Sequence, residues 1–497
     1  MAKKILFSLL FLLLFLPGHS QYILRKQVVI PKPADSLDIS YYSKKKFWHA
    51  ASMVFGLNMG IWAFDRYALN ADFARINIHT IKDNLTNGFE WDNDQMGTNM
   101  FLHPYHGGLY FNAARSNGFN FWESGGFALA GSAMWELFME NESPSINDII
   151  ATPVGGLAIG EVFYRATDMI LDDTRRGRNR LWRETASFLI APTRGLSRII
   201  SGDAWNVRST AGRQFGIPSI SVDVSSGVRF LEVKDEIFDK GVGFTTDVTV
   251  EYGDKFDNDN VVPFDYFSFR VNLSVQSSQP ILSQLNIIGR LWGVDAIDTK
   301  KHYLGFGAFQ HFDYYDSDTI SSVSNKVPYK FGTPATVGIG MYHKNKEFSN
   351  WSFDSYAHLN GIFLGASLSD HYLVDKRNYN LGSGFGWKFG LNISYRDRIG
   401  LSWLYEGYRL FTWKGYPKGY ELDKAVEEKL NSQGDKSNAT FNTSSLRLDV
   451  RLSKHLHLTG LGSVYRRTTH YEDYERVFSM TAEGRIMLTY KFFSDKH

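Results

Sequence analysis

The chain has 497 residues, nearly balanced charge (54 Lys plus Arg against 52 Asp plus Glu, net +2) and no cysteine. The balance gives no reason to expect a nucleic-acid partner, and without cysteine there is neither a disulfide nor a cysteine-linked lipid. Aromatic residues make up 15%, beside 44 glycines, a composition that suits a lipid-facing barrel with a polar interior.

The first twenty residues run from Lys3 and Lys4 through the apolar block Ile5 to Leu16 to small residues at Gly18 and Ser20. That is the layout of a cleaved secretory signal, with an apolar block too short for a membrane anchor. An N-terminal extension (21–44) comes next, and then the apolar period becomes helical. Helices are expected over 46–69, 99–117, 121–141, 146–171 and 179–200, with Ser145 as N-cap of the fourth and Asp148 at capping-box spacing. Pro153 lies inside that helix, where it kinks it or delays its start. No segment here has eighteen uninterrupted apolar residues. Gly125, Ala128, Gly131 and Ala133, then Gly155, Gly156, Ala158 and Gly160, allow helix backbones to approach closely. A compact all-α domain is expected over 45–200, with a linker at 201–217.

From 218 to 497 the period becomes two. Phe267, Phe269, Val271, Leu273 and Val275 alternate with Ser268, Arg270, Asn272 and Ser274. The same pattern sets Phe385, Trp387 and Phe389 against Lys388, sets Leu446, Leu448 and Val450 against Arg447 and Asp449, and sets Ile486, Leu488 and Tyr490 against Arg485. About twelve such segments are expected, starting near residues 219, 244, 264, 284, 303, 333, 351, 385, 399, 445, 456 and 478. Many reach the roughly 9 to 11 residues that cross a bilayer when tilted. The fold class is therefore a membrane β-barrel of outer-membrane type, closed by pairing the last strand with the first. Connections should alternate between short periplasmic turns and long outer loops. "GDKFDNDNVVP" is long for its side and "QSSQP" short for its own, so ten or fourteen strands remain open.

Within the helical region sits a polar constellation. His103 and His106 share a helical face, Glu136 and Glu140 stack at i, i+4, Glu123 opens the same helix, and Glu161 lies on the next. Such a set can supply a histidine base oriented by a carboxylate, or ligands for a divalent metal. Structural pairing between helices is the preferred reading, because buried His and Glu need partners anyway and no HExxH, Gly-x-Ser-x-Gly elbow or phosphate loop accompanies them. No metal and no cofactor is expected. Arg175, Arg176, Arg178 and Arg180 could grip lipid phosphates, but a solvated interhelical loop is the preferred reading.

Asn99, His103, Pro104, Gly107, Tyr110, Ala114, Arg115 and Gly118, then Trp135, Glu136 and Glu140, then Ser145, Asp148, Thr152, Pro153, Gly156, Gly160 and Glu161 form one pattern. This pattern resembles a Gram-negative envelope family catalogued as domain of unknown function 3943. The segment "RGLSR", 194–198, is similar to the next stretch of that family. The resemblance implies no activity. Four expectations remain open for function. They are a noncatalytic envelope component, a gated pore plugged by helices, an outer-membrane lipid-modifying hydrolase using a His/Glu site, and a docking partner for surface machinery. Outer-membrane lipid is the expected partner, with an envelope protein or a small solute also open.

Overall fold

A computed structural model describes residues 44–216, 218–233, 236–258, 261–319, 327–346, 350–417, 419–422 and 431–493. The expected signal (1–20) and nearly all of the extension (21–43) lie outside the described residues. The chain divides into two compact units, 1–92 with 97–218, and 93–96 with 219–497.

The first unit is helical: α1 (Phe47–Tyr67), α2 (Ile78–Asn87), a π-helical turn (Thr98–Leu102) leading into α3 (His103–Arg115), α4 (Phe121–Phe138), α5 (Ile146–Ile170), α6 (Gly177–Ile190) and α7 (Pro192–Ser201). Local chemistry sets the boundaries. Asn120 and Glu123 form a reciprocal capping box that starts α4, and Ser145 Oγ accepts the Asp148 N–H at 3.1 Å to start α5. α5 then runs unbroken through Pro153. Two expectations need correction. Helix α2, started by an Asn77–Thr80 capping box, is not among the expected helices, because a ten-residue segment with only Ile78, Ile81 and Leu85 as large apolar residues is too short for its period to stand out. The single helix expected over 179–200 is two helices, because Pro192 pushes Ala191 out of helical conformation (φ −129°, ψ 80°).

Close approach organises the unit. A Cβ on Gly107 would lie 1.8 Å from the Thr152 carbonyl oxygen, and one on Gly156 would lie 2.5 Å from the Gly107 carbonyl carbon. Helices α3 and α5 therefore cross backbone to backbone, which only glycine permits. Among the described residues α5 is the one helix long and apolar enough to cross a membrane, and 67% of that window is buried. We read it as the core helix of the unit.

The second unit is a closed antiparallel barrel, an outer-membrane type of fold, of β1 (Ile220–Val233), β2 (Glu236–Tyr252), β3 (Phe267–Val275), β4 (Leu282–Asp298), β5 (His302–Asp316), β6 (Lys330–Asn345), β7 (Trp351–Leu368), β8 (Tyr379–Tyr395), β9 (Ile399–Thr412), β10 (Ser437–Arg451), β11 (Leu456–Tyr471) and β12 (Val477–Phe493). β12 pairs with β1 in the register Arg485↔Arg229 and Tyr490↔Val224, so neither strand is left as an edge. Twelve strands is the number expected from alternation. Leu446, Leu448, Ile486, Leu488 and Tyr490 are exposed on the outer wall, whereas Arg485 and Asp449 are buried inside, which is the polarity of a wall facing lipid.

Several strands run longer than the alternation suggested: β10 begins at Ser437, eight residues before the expected start at 445. The three-residue connection between β8 and β9 is tight: the Arg398 N–H donates to the Tyr395 carbonyl at 2.9 Å, closing a β-turn whose central residues Arg396 and Asp397 are both at positive φ (49° and 50°), as type I′ requires. Described residues of the anomalously long "GDKFDNDNVVP" fold back onto the barrel. There Lys255 Nζ meets Asp354 at 2.8 Å, and Asn258 Oδ1 accepts from Arg290 at 2.6 Å.

Candidate functional site

Two polar clusters form inside the helical unit. In the first, His103 and His106 come from α3, Glu136 from α4, Glu140 from just beyond its end, and Asp148 from the first turn of α5. His103 Nε2 lies 3.7 Å from Asp148 Oδ2, with side chains 17% and 3% exposed. That distance is electrostatic contact rather than a hydrogen bond. His106 packs against the Tyr110 ring at 4.4 Å and the Trp135 ring at 5.3 Å, and its Nε2 is sealed from solvent with no hydrogen-bond partner. Burial, reinforced by the neighbouring His103, lowers the His106 pKa to about 3, so the ring is neutral.

The carboxyls shift the other way. Burial raises Glu136 to about 7, and burial together with the charges of Glu136 and Asp148 raises Glu140 well above the ordinary range. With the charge of Glu136 among the causes that raise Glu140, the two carboxyls hold a proton between them rather than ionising together. Glu136 Oε2 also accepts the Ser145 backbone N–H at 2.8 Å, tying the end of α4 to the start of α5. Tyr110 donates to Asn58 Oδ1, and Asn58 Nδ2 donates to the Gly131 carbonyl at 3.1 Å, bringing α1 into the same cluster.

In the second cluster, Arg115 clasps Glu161 with two parallel bonds, Nε to Oε2 at 2.7 Å and Nη2 to Oε1 at 2.8 Å. Arg165 Nε adds a third at 2.8 Å. Burial alone would raise the Glu161 pKa, but the two guanidiniums overcome it and hold the carboxylate below its usual value. Farther along, Arg194 meets Asp168 at 2.7 Å, and Arg198 spans Asp173 at 2.6 Å and Glu184 at 2.8 Å.

The structure thus gathers four of the six candidate residues, His103, His106, Glu136 and Glu140. It assigns Glu161 to the arginine clasp and Glu123 to the α4 cap, where it also pairs with Lys45 at 2.6 Å. Of the arginine run, Arg180 is buried against Asp173 and Glu184, while Arg175, Arg176 and Arg178 stay on the surface, Arg175 pairing with Asp172. In the sequence Asp148 stands out only as a capping residue and a motif member, and Tyr110 only as a motif member; Asn58 carries no signal beyond being a lone amide in an apolar helix. Chemically the cluster holds a neutral imidazole beside a protonated carboxyl pair. The two nearby serine hydroxyls are already engaged, Ser132 donating to the Asp148 carbonyl and Ser145 accepting its N–H.

The motif residues converge on these contacts. Residues 88–193 match the family model described as "Domain of unknown function (DUF3943)". The DUF3943 stretch therefore contains the glycine crossing, the His103–Asp148 contact, the carboxyl pair and the Arg115–Glu161 clasp. No curated protein matches the chain. Among solved structures it is similar to the NanC porin (10% identity, 54% of this chain and 98% of that one, TM-score 0.26). It is also similar to the toluene transporter TodX of Pseudomonas putida (8%, 56% and 90%, 0.21) and the outer membrane protease OmpT of Escherichia coli (9%, 56% and 99%, 0.17). These likenesses are too low to say anything of activity.

The barrel lumen is the other candidate site. Lys388 on β8 meets Asp313 on β5 at 2.6 Å, and Arg270 on β3 meets Glu406 on β9 at 2.9 Å, while Tyr315 donates to Glu406 at 2.6 Å. None of these pairs joins neighbouring strands, so each spans the lumen. An aromatic layer does the same, with Tyr329 stacked on Tyr465 at 4.9 Å and Phe331 on Phe441 at 4.8 Å. A polar cavity of about 340 Å³, lined by Asp223, Asp247, Glu251, Arg270, Arg447 and Lys491, occupies part of the remaining interior. Arg270, Lys388, Arg447, Asp449 and Arg485, expected inside, are inside and paired.

Proposed function

We propose that this protein is a noncatalytic outer-membrane component of a Gram-negative envelope, in which the barrel is a closed anchor and the helical unit is the part presented to the envelope. The observation that carries this reading is the lumen filled by the barrel's own side chains. A path for solute would have to separate Lys388 from Asp313, Arg270 from Glu406 and the stacked rings beyond them, all held in a low-dielectric interior. On this reading the helices are not needed to block a channel. The test is planar-bilayer recording of the whole protein beside a variant lacking residues 45–200. Both should be electrically silent; current from the truncated barrel alone would favour a helical plug instead.

One observation favours a second reading, an outer-membrane lipid-modifying hydrolase. His103, partly accessible and close to Asp148, sits beside carboxyls that keep a proton near neutral pH and so could serve as general acid. Incubation with phospholipid or lipopolysaccharide, with and without calcium, decides it: a product that disappears in His103→Ala supports hydrolysis, and no product removes it.

A further inference from the structure

The helical unit is polar inside and apolar outside along one face. On α7 the side chains of Arg194, Ser197 and Arg198 are buried, whereas Leu196 (42% exposed), Ile199 and Ile200 (59%) face outward. A water-facing amphipathic helix does the reverse. The face continues onto α1, where Trp48 (78% exposed), Phe55 and Phe64 are uncovered, and a Cβ on Gly56 or Gly60 would meet nothing within 4 Å. Between α1 and α7 runs an apolar groove of about 770 Å³, floored by Gly56 and Gly60 and walled by Met53, Leu57, Leu196 and Ile200. Scattered exposed apolar residues are ordinary, but a contiguous patch with its charges turned inward is not.

We infer that the α1/α7 face lies in the hydrocarbon of a membrane leaflet, with a lipid acyl chain along the groove. One further feature selects lipid as the occupant. Lys44, Lys45 and Lys46 stand immediately before α1, with Trp48 in its first turn, a basic and aromatic margin complementary to anionic headgroups at the interface, while Lys45 also pairs with Glu123. This inference rests on the reading of the barrel as membrane-spanning.

The absence of cysteine makes the test clean, since each introduced cysteine carries the only label. Gly56→Cys, Ile200→Cys, Ile486→Cys on the barrel wall and Lys82→Cys on exposed α2 are spin-labelled in the full chain. Each is reconstituted in vesicles of phosphatidylethanolamine with a minor share of phosphatidylglycerol, with heat-modifiable gel migration as the check on folding. Collision with oxygen and with a water-soluble nickel chelate then reports the surroundings. Labels at Gly56 and Ile200 should match Ile486, with high oxygen and several-fold lower nickel collision than Lys82. Nickel collision equal to that of Lys82 overturns the proposal. So does dipolar broadening that vanishes when unlabelled protein is mixed in, which would assign the face to a second copy. A water-exposed label at Ile486 would instead remove the membrane barrel, and this inference with it.

Discussion

The barrel and the helical unit both bury charge, but they are held together differently. In the barrel every strand is hydrogen-bonded on both sides, so the lumenal ion pairs sit inside a frame that closes without them. In the helical unit the ion pairs and glycine contacts are themselves the joints: Arg115–Glu161 links α3 to α5, Glu136–Ser145 links α4 to α5, and Arg194–Asp168 links α7 to α5. A charge change of one kind should therefore be absorbed in one region and disruptive in the other.

The largest effect is expected from Glu161→Ala, which strands two buried guanidiniums and should cost about 3–5 kcal/mol. Hydrogen exchange should then show α3 and α5 deprotected, with the strands unchanged. Glu406→Gln in the lumen sharpens the contrast: barrel exchange and heat-modifiable migration should stay near wild type. Equal damage from both would break the comparison. Gly107→Ala comes next, about 1–3 kcal/mol or more, because its methyl would collide with the backbone of Thr152, which cannot swing away.

The carboxyl pair gives the helical unit a pH dependence. Glu136 is raised to about 7 in the fold, so the folded state holds a proton that the unfolded chain releases near 4.5. Its stabilisation is complete below that lower value and is lost as pH rises through about 7. His106, lowered to about 3, acts oppositely, contributing stability above about 6.5 that is lost as pH falls toward 3. Thermal unfolding of the helical unit should show both limbs. Glu136→Gln, which keeps an acceptor for the Ser145 N–H, should flatten the one near 7 and leave the acid limb. A curve unchanged by Glu136→Gln would contradict the shared proton. The smallest effect is at the β8–β9 hairpin, where Arg396→Asn with Asp397→Gly should stabilise by about 0.5–1 kcal/mol, read as a higher denaturant midpoint of the barrel.

The barrel was legible in the sequence because a period of two assigns a side to every residue. Once Leu446 faces lipid, Arg447 must face the lumen, and it does. Cross-lumen partners were not legible, since Lys388 and Asp313 lie on strands three apart in the wall, and no local pattern encodes that distance. In the helical unit the small residues Gly156 and Gly160 foretold close helix contact, and the fold places His103, His106, Glu136 and Glu140 in one cluster. Which side of α7 faces inward could not be read, because amphipathicity gives two faces without naming the solvent. Glu161 went to arginines rather than histidines for the same reason: helical spacing fixes a face, while the partner depends on how three helices cross.

The closed lumen is tested most directly by single-channel recording of the full chain beside a variant that removes both barriers, Phe331→Ala, Phe441→Ala and Tyr465→Ala with Asp313→Ala and Glu406→Ala. The account predicts no current from the wild type at either polarity and discrete steps from the variant once the aromatic layer and the cross-lumen ion pairs are both removed. Stable ohmic conductance from the wild type would contradict it.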